Sequence, residues 1–132
     1  MTKIIWDHNK MTTGVPGVDA QHQEWIRRYN DFCDAIAHGK GVEEARKTLD
    51  FFIQYAETHF AYEEKVMDER HCSAADENRI DHENMRKVLE GFKHFVDKHG
   101  YSIVEMQGLR SQMEKWLLHH ILNIDIRLRE TV

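Results

Sequence analysis

Between Val42 and Val66 the inward residues step by three and four: Val42, Ala45, Leu49, Phe52, Ala56, His59, Glu63, Val66. That rhythm belongs to an α-helix with one buried face. It also sets a histidine and a glutamate, one turn apart, where a helix bundle ordinarily carries leucine. A buried carboxylate without a partner is costly, so this face must meet compensating groups on other helices or a cation. For one such pair alone, mutual hydrogen bonding is the simpler account. Three further stretches carry the same anomaly.

The first helix is expected over 19–38, with Asp19 as N-cap and Gly39 as stop. Its stripe is Val18, His22, Trp25, Tyr29, Phe32 and Ile36. Gly39-Lys40-Gly41 reads as a short turn. The second helix is expected over 42–70. The third, over 74–98, has the stripe Asn78, His82, Met85, Leu89, Phe92 and Val96, with Ser73 and Asp76 resembling a capping box. The fourth, over 103–130, opens on the capping box Ser102-Ile103-Val104-Glu105. It turns Leu109, Met113, Trp116, Leu117, His120, Ile121, Ile124 and Leu128 inward, with Asp125 flanking the stripe and able to reach in. Residues 1–18 read as an extended N-terminal arm, with Ile5 and Trp6 packing on the domain and turn chemistry from Thr12 to Gly17.

Four amphipathic helices joined by short loops imply an all-α, up-down-up-down antiparallel four-helix bundle in a single domain over 1–132. The single proline, Pro16, lies before all four helices and interrupts none of them. A net charge of −5 gives no basis for binding nucleic acid or an anionic membrane, and no apolar run approaches membrane-spanning length. The first residues lack the apolar run of a signal peptide, and Cys33 and Cys72 form neither a CxxC pair nor a disulfide ladder. A cytoplasmic protein is expected.

In this topology one end of the bundle collects the starts of helices one and three and the ends of helices two and four. His22, His59, Glu63, Asn78, His82, His120 and Asp125 all fall in that half. Four imidazoles and two carboxylates converging in an apolar core point to a metal site. Two carboxylates able to bridge suggest two ions, most naturally iron. Without metal, Glu63 and Asp125 would face each other with no counter-charge, so chelation is expected to lower the melting temperature.

Nearly the whole chain resembles the hemerythrin family. The resemblance rests on Ile5-Trp6, Val18-Asp19-Ala20-Gln21-His22-Gln23, His59-x-x-x-Glu63, Glu64-x-x-Met67 and Trp116-Leu117-x-x-His120-Ile121-x-x-x-Asp125. It implies two non-haem iron ions that bind O2 reversibly, for storage, delivery or sensing. By that resemblance His22 and His59 hold the iron with an open position, Glu63 and Asp125 bridge, and His82 and His120 hold the other iron. Trp116, Leu117 and Ile121 would line a dry O2 pocket. The lack of an attached signalling region favours storage or delivery over sensing.

One position departs from the family pattern. Its third helix carries His-x-x-x-His, and here Asn78 stands where the first histidine belongs. An amide oxygen is a weaker iron ligand than imidazole, so the second ion is expected to be labile, water-capped or absent. Otherwise Asn78 caps a turn, and His71 completes the site if its turn folds inward. The departure raises two rivals to an O2-binding protein: a diiron enzyme acting on peroxide or nitric oxide, and a metal-binding module without O2 chemistry. Other signals are set aside. His82-Glu83-x-x-Arg86 lacks the second histidine of a zinc protease motif, and no Glu-x-x-His of the ferritin type occurs. His8, His38, His94 and His99 are expected at the surface, and His119, about 100° around the helix from His120, either there or as an outer partner of the site.

Overall fold

A computed structural model describes residues 3–39 and 41–132. It is helical, with no strand among the described residues. A one-turn helix α1 (His8–Met11) precedes four long ones: α2 (Pro16–Ala37), α3 (Val42–Glu69), α4 (Ala75–His99) and α5 (Ile103–Asn123). A 3-10 helix, Asp125–Thr131, follows. The turn expected at Gly39-Lys40-Gly41 includes Lys40, which lies outside the described residues. Of the long helices, α2 packs on α3, α3 on α4, α4 on α5, and α5 back on α2, so each closes two sides of a shared core.

Several boundaries correct the sequence reading. α2 begins at Pro16, not Asp19, with Pro16 in the first turn and Val15 extended before it. Proline is well placed there, because its fixed φ suits a helix and its missing N–H had no helical partner. Asp19 is therefore inside the helix. Its buried carboxylate accepts from the Thr13 N–H and hydroxyl, each at 2.8 Å, and from the Thr12 hydroxyl at 2.5 Å. The N-terminal segment is not extended throughout, since it contains α1. Ile4 rather than Ile5 packs inward: Ile4 is 5% exposed and Ile5 84%. Asn30 fixes Ile4 by accepting from its N–H at 2.9 Å and donating to its carbonyl at 2.8 Å.

Ser73 does not cap α4. The N-cap is Ala74, without a side-chain bond, and the Ser73 hydroxyl instead accepts from Arg127 at 3.4 Å. Ser102 does cap α5, accepting from the Glu105 N–H at 3.4 Å. α3 ends in a Schellman motif, with Cys72 N–H donating to the Met67 carbonyl at 2.9 Å and His71 N–H to Asp68 at 3.2 Å. The left-handed residue this motif requires is His71, with φ 52, where glycine is the usual choice. His71 is exposed, so only its backbone matters. Replacing it by glycine should remove about 1 kcal/mol of backbone strain. The melting temperature should rise by roughly 3–5 °C; an unchanged or lower value would contradict this reading of the α3 terminus.

Buried apolar residues form two clusters, one on each side of a polar layer. The larger includes Trp25, Tyr29, Phe32, Phe52, Phe60, Met85, Met113, Leu117 and Ile121. The smaller comprises Val15, Val18, Met67, Cys72, Ala74, Ile124 and Leu128. Along α2 the switch falls between Val18 and Trp25, along α3 between Ala56 and Met67, and from the N-cap of α4 onward between Ala74 and Met85. His22, His59, Glu63, Asn78, His82, His120 and Asp125 fill that gap, each 0% exposed.

Candidate metal centre

Each long helix contributes to this layer at the place its stripe predicts. α2 brings His22, α3 His59 and Glu63, α4 Asn78 and His82, and α5 His120. Asp125 arrives differently. On a continued α-helix it would sit about 140° around the axis from His120. α5 instead stops at Asn123, and the backbone tightens into the 3-10 helix beginning at Asp125. That change of pitch turns the carboxylate inward, where it is fully buried.

The two carboxylates divide their oxygens between two pairs of imidazoles. Glu63 Oε2 lies 3.0 Å from His22 Nε2 and 3.3 Å from His59 Nε2. Glu63 Oε1 lies 3.1 Å from His82 Nε2 and 3.3 Å from His120 Nε2. Asp125 repeats the division, with Oδ2 2.8 Å from His22 Nε2 and Oδ1 2.9 Å from His120 Nε2. Two sets of donor atoms result, each gathered within 4.8 Å: His22, His59, Glu63 and Asp125, and Glu63, His82 and His120.

Hydrogen bonding does not account for the arrangement. Both Asp125 oxygens and His59 Nε2 lie close to neighbours yet lack an aligned hydrogen-bond partner. Buried polar atoms of native proteins are rarely left so. His82 Nε2 and His120 Nε2 also face each other at 3.1 Å. Imidazole nitrogens and carboxylate oxygens converging on common points are the donor set of iron or a similar divalent ion. Each of the two sets could hold a metal ion.

The far nitrogen of three of these imidazoles is held from outside the layer. Nδ1 of His59 meets Gln21 Oε1 at 2.9 Å, Nδ1 of His82 meets Glu64 Oε2 at 3.1 Å, and Nδ1 of His120 meets Asp81 Oδ2 at 2.6 Å. Each contact leaves Nε2 to face the centre, the outer support typical of metal-binding histidines. His22 Nδ1 has no such partner. Aromatic rings close the layer: Phe60 stacks on His82 with centroids 4.0 Å apart, and Trp116 on His120 at 4.5 Å. Trp25 lies 5.3 Å from His59. Leu117 and Ile121 are buried in the larger cluster.

Sequence reasoning did not assign Gln21, Glu64, Asp81 or Phe60 to the site. Each stands one position beside an inward residue: Gln21 by His22, Glu64 by Glu63, Asp81 by His82, Phe60 by His59. That adjacency was the available signal. Rotated about 100° from the centre, each reaches the histidine of a neighbouring helix or stacks on it. His71 does not enter the site, being exposed at the end of α3. Nor does Asn78 cap a turn with its side chain, since neither amide atom has a hydrogen-bond partner. His8, His38, His94, His99 and His119 are all exposed, as expected.

The metal-free charges balance internally. Burial works to lower the pKa of His22, but Asp125 and Glu63 overcome it and raise the value to about 9. Burial opposes protonation of His120 too, and Asp125, Asp81 and Glu63 hold its pKa well above the usual 6.5. His59 stays low because burial outweighs Glu63. Burial would raise Glu63, yet His59, His120 and His22 hold it well below 4.5. The expected lack of counter-charge is therefore corrected: at neutral pH protonated His22 and His120 face the carboxylates. His22 stabilises the metal-free fold fully below pH 6.5, and that contribution disappears as pH rises through about 9. Glu63 contributes above pH 4.5 and loses its effect as pH falls towards its depressed value. Between pH 7 and 9 the metal-free melting temperature should fall, and metal uptake at pH 7.5 should release protons. Calorimetry in two buffers of different ionisation enthalpy measures that release; identical heats would contradict it.

Over residues 13–128 the chain matches the hemerythrin HHE cation binding domain. It is 28% identical over 126 residues to a bacteriohemerythrin of Pseudomonas aeruginosa (strain LESB58), covering 95% of this chain and 78% of the relative. The same shares are covered at 28% identity in a bacteriohemerythrin of Pseudomonas paraeruginosa. They are covered at 25% identity in one of Stenotrophomonas maltophilia (strain R551-3).

Proposed function

Because the chain belongs to the hemerythrin family, we propose that it is a non-haem diiron protein that binds O2 reversibly, for storage, delivery or sensing. The observation carrying this reading is the division of Glu63 and Asp125 between two imidazole pairs. His22 and His59 would hold one iron, His82 and His120 the other, and the two carboxylates would serve both. Iron held there supplies the electrons and the open coordination position that O2 binding needs. Gln21, Glu64 and Asp81 orient the imidazoles. Trp116, Leu117 and Ile121, together with Phe60, keep water out.

We read the whole of 1–132 as one such domain, with the segment before Pro16 as an arm leading into an up-down-up-down bundle. Contacts that run in opposite directions along neighbouring helices support this: His22–Glu63 and Arg28–Phe51 between α2 and α3, and Asp68–Arg79 and Glu57–Arg86 between α3 and α4. Between α5 and α2 the hydrogen bond from Arg110 to the Tyr29 hydroxyl agrees. Among the described residues no helix is long and apolar enough to cross a membrane. A cytoplasmic location agrees with Cys33 and Cys72 being buried thiols outside any disulfide.

The test is an optical spectrum of iron-loaded, reduced protein cycled between air and argon. Bands that appear with O2 and vanish on its removal support the reading, and His22→Ala or His59→Ala should abolish them while His94→Ala should not. Irreversible oxidation with turnover of peroxide or nitric oxide would favour an enzyme instead, a reading to which the partnerless amide of Asn78 lends weight.

A further inference from the structure

The two sides of the centre differ in protein donors. His22, His59, Glu63 and Asp125 gather on one side and only Glu63, His82 and His120 on the other, where Asp125 Oδ1 lies 2.9 Å from His120 alone. Three or four donors leave a divalent iron short of its usual complement, as at other non-haem sites that keep open positions for exogenous ligands. The sides differ again one turn before their first histidine. Val18, fully buried and apolar, precedes His22, whereas Asn78, fully buried and polar, precedes His82. Residues so spaced share a helix face, with Cβ atoms about 5–6 Å apart. Both Asn78 amide atoms lack a hydrogen-bond partner. A buried amide without a partner is costly, so its retention points to a group outside the chain that completes it.

We propose that Asn78 marks a second small-ligand position, on the His82–His120 side, for a neutral diatomic acceptor of the nitric oxide class that takes a hydrogen bond from the Asn78 amide. The inference rests on the two-ion reading above. Phe60 and Trp116, stacked on His82 and His120, limit the occupant to a few atoms. The rings beside it are aromatic and the donor is an uncharged amide, which suits a small uncharged ligand. The amide N–H directs the acceptor end of the ligand, and Oδ1 is left to a second donor such as water. On the His22 side Val18 offers no comparable group.

The test uses nitric oxide as the probe. Protein loaded with ferrous iron under argon is first analysed for metal, then titrated with nitric oxide while the N–O stretch is followed in the infrared. The wild type should take up two nitric oxide molecules per chain. Asn78→His, which puts an imidazole at that position, should take up one. Asn78→Ala keeps the space and loses the donor, so it should still bind two, with the second about tenfold weaker and its stretch shifted. If Asn78→His fails to give a helical spectrum, Asn78→Ala decides. Two irons with one nitric oxide in the wild type, two in Asn78→His, or an unchanged second stretch in Asn78→Ala would each overturn the proposal. Fewer than two irons in fully loaded wild type would defeat the two-ion reading itself, and this inference with it.

Discussion

Glu63→Ala should strip metal from both sides of the centre, not from one. Its Oε2 serves His22 and His59, and its Oε1 serves His82 and His120, so a single truncation removes a donor from each set. It also removes one of the two negative charges that would offset part of the charge of two divalent ions in a fully buried layer. Losing an outer partner of a metal ligand already costs about 10–100-fold in affinity. Losing a ligand shared by two ions should exceed that at both positions, leaving purified protein essentially without metal. Glu63→Gln separates charge from shape: it keeps the volume and one carbonyl oxygen, and it should also fail to retain two ions. His22→Ala provides the contrast, since it empties one side while Glu63, His82 and His120 still gather on the other. Metal analysis by plasma emission distinguishes these outcomes. Full retention of one ion in Glu63→Ala would contradict the shared role of this carboxylate.

The second large effect is expected at Asp81, which belongs to neither donor set. Its Oδ2 lies 2.6 Å from His120 Nδ1, and the exchange is mutual: burial would raise the pKa of Asp81, but His120 draws it down. In the metal-free protein this pair fixes which way the ring faces. With metal it fixes Nδ1 as the protonated nitrogen and raises the basicity of Nε2. Asp81→Ala should weaken metal binding about 10–100-fold on the His82–His120 side. Gln21→Ala should act on the His22–His59 side, through His59, and by less, since a neutral amide polarises the ring less than a carboxylate. Paired calorimetric titrations test the assignment. Equal weakening of both ions by Asp81→Ala, or of neither, would show that the contact is only structural.

These outer contacts mark the limit of what the residues alone disclose. The stripes of His22, His59, Glu63, His82 and His120 are legible because a polar residue in an apolar three-and-four rhythm violates the pattern of its own helix. The same violation exposed Asn78. Gln21, Glu64 and Asp81 violate nothing: each lies on a flank where polar residues are normal, and its task appears only once the neighbouring helix is in place. Asp125 was readable as a flanking carboxylate, but its route inward depends on α5 changing pitch after Asn123, which no local signal announces. The start of α2 was misplaced for a related reason. Thr12 to Gly17 is turn-forming chemistry, and the bonds of Asp19 to Thr12 and Thr13 hold that turn against a helix that Pro16 opens. The charge balance was misjudged because protonation of His22 and His120 follows from distances, not from spacing.

Two metal ions are proposed to share Glu63 and Asp125. Crystals of freshly purified, iron-loaded protein, measured on both sides of the iron absorption edge, test it most directly. Two anomalous peaks are expected inside the polar layer, about 3.5–4 Å apart as in other two-metal sites. One should lie beside His22 and His59 and the other beside His82 and His120, each within bonding distance of one oxygen from either carboxylate. A single peak, or two peaks with Glu63 and Asp125 both bound to the same ion, would contradict the account.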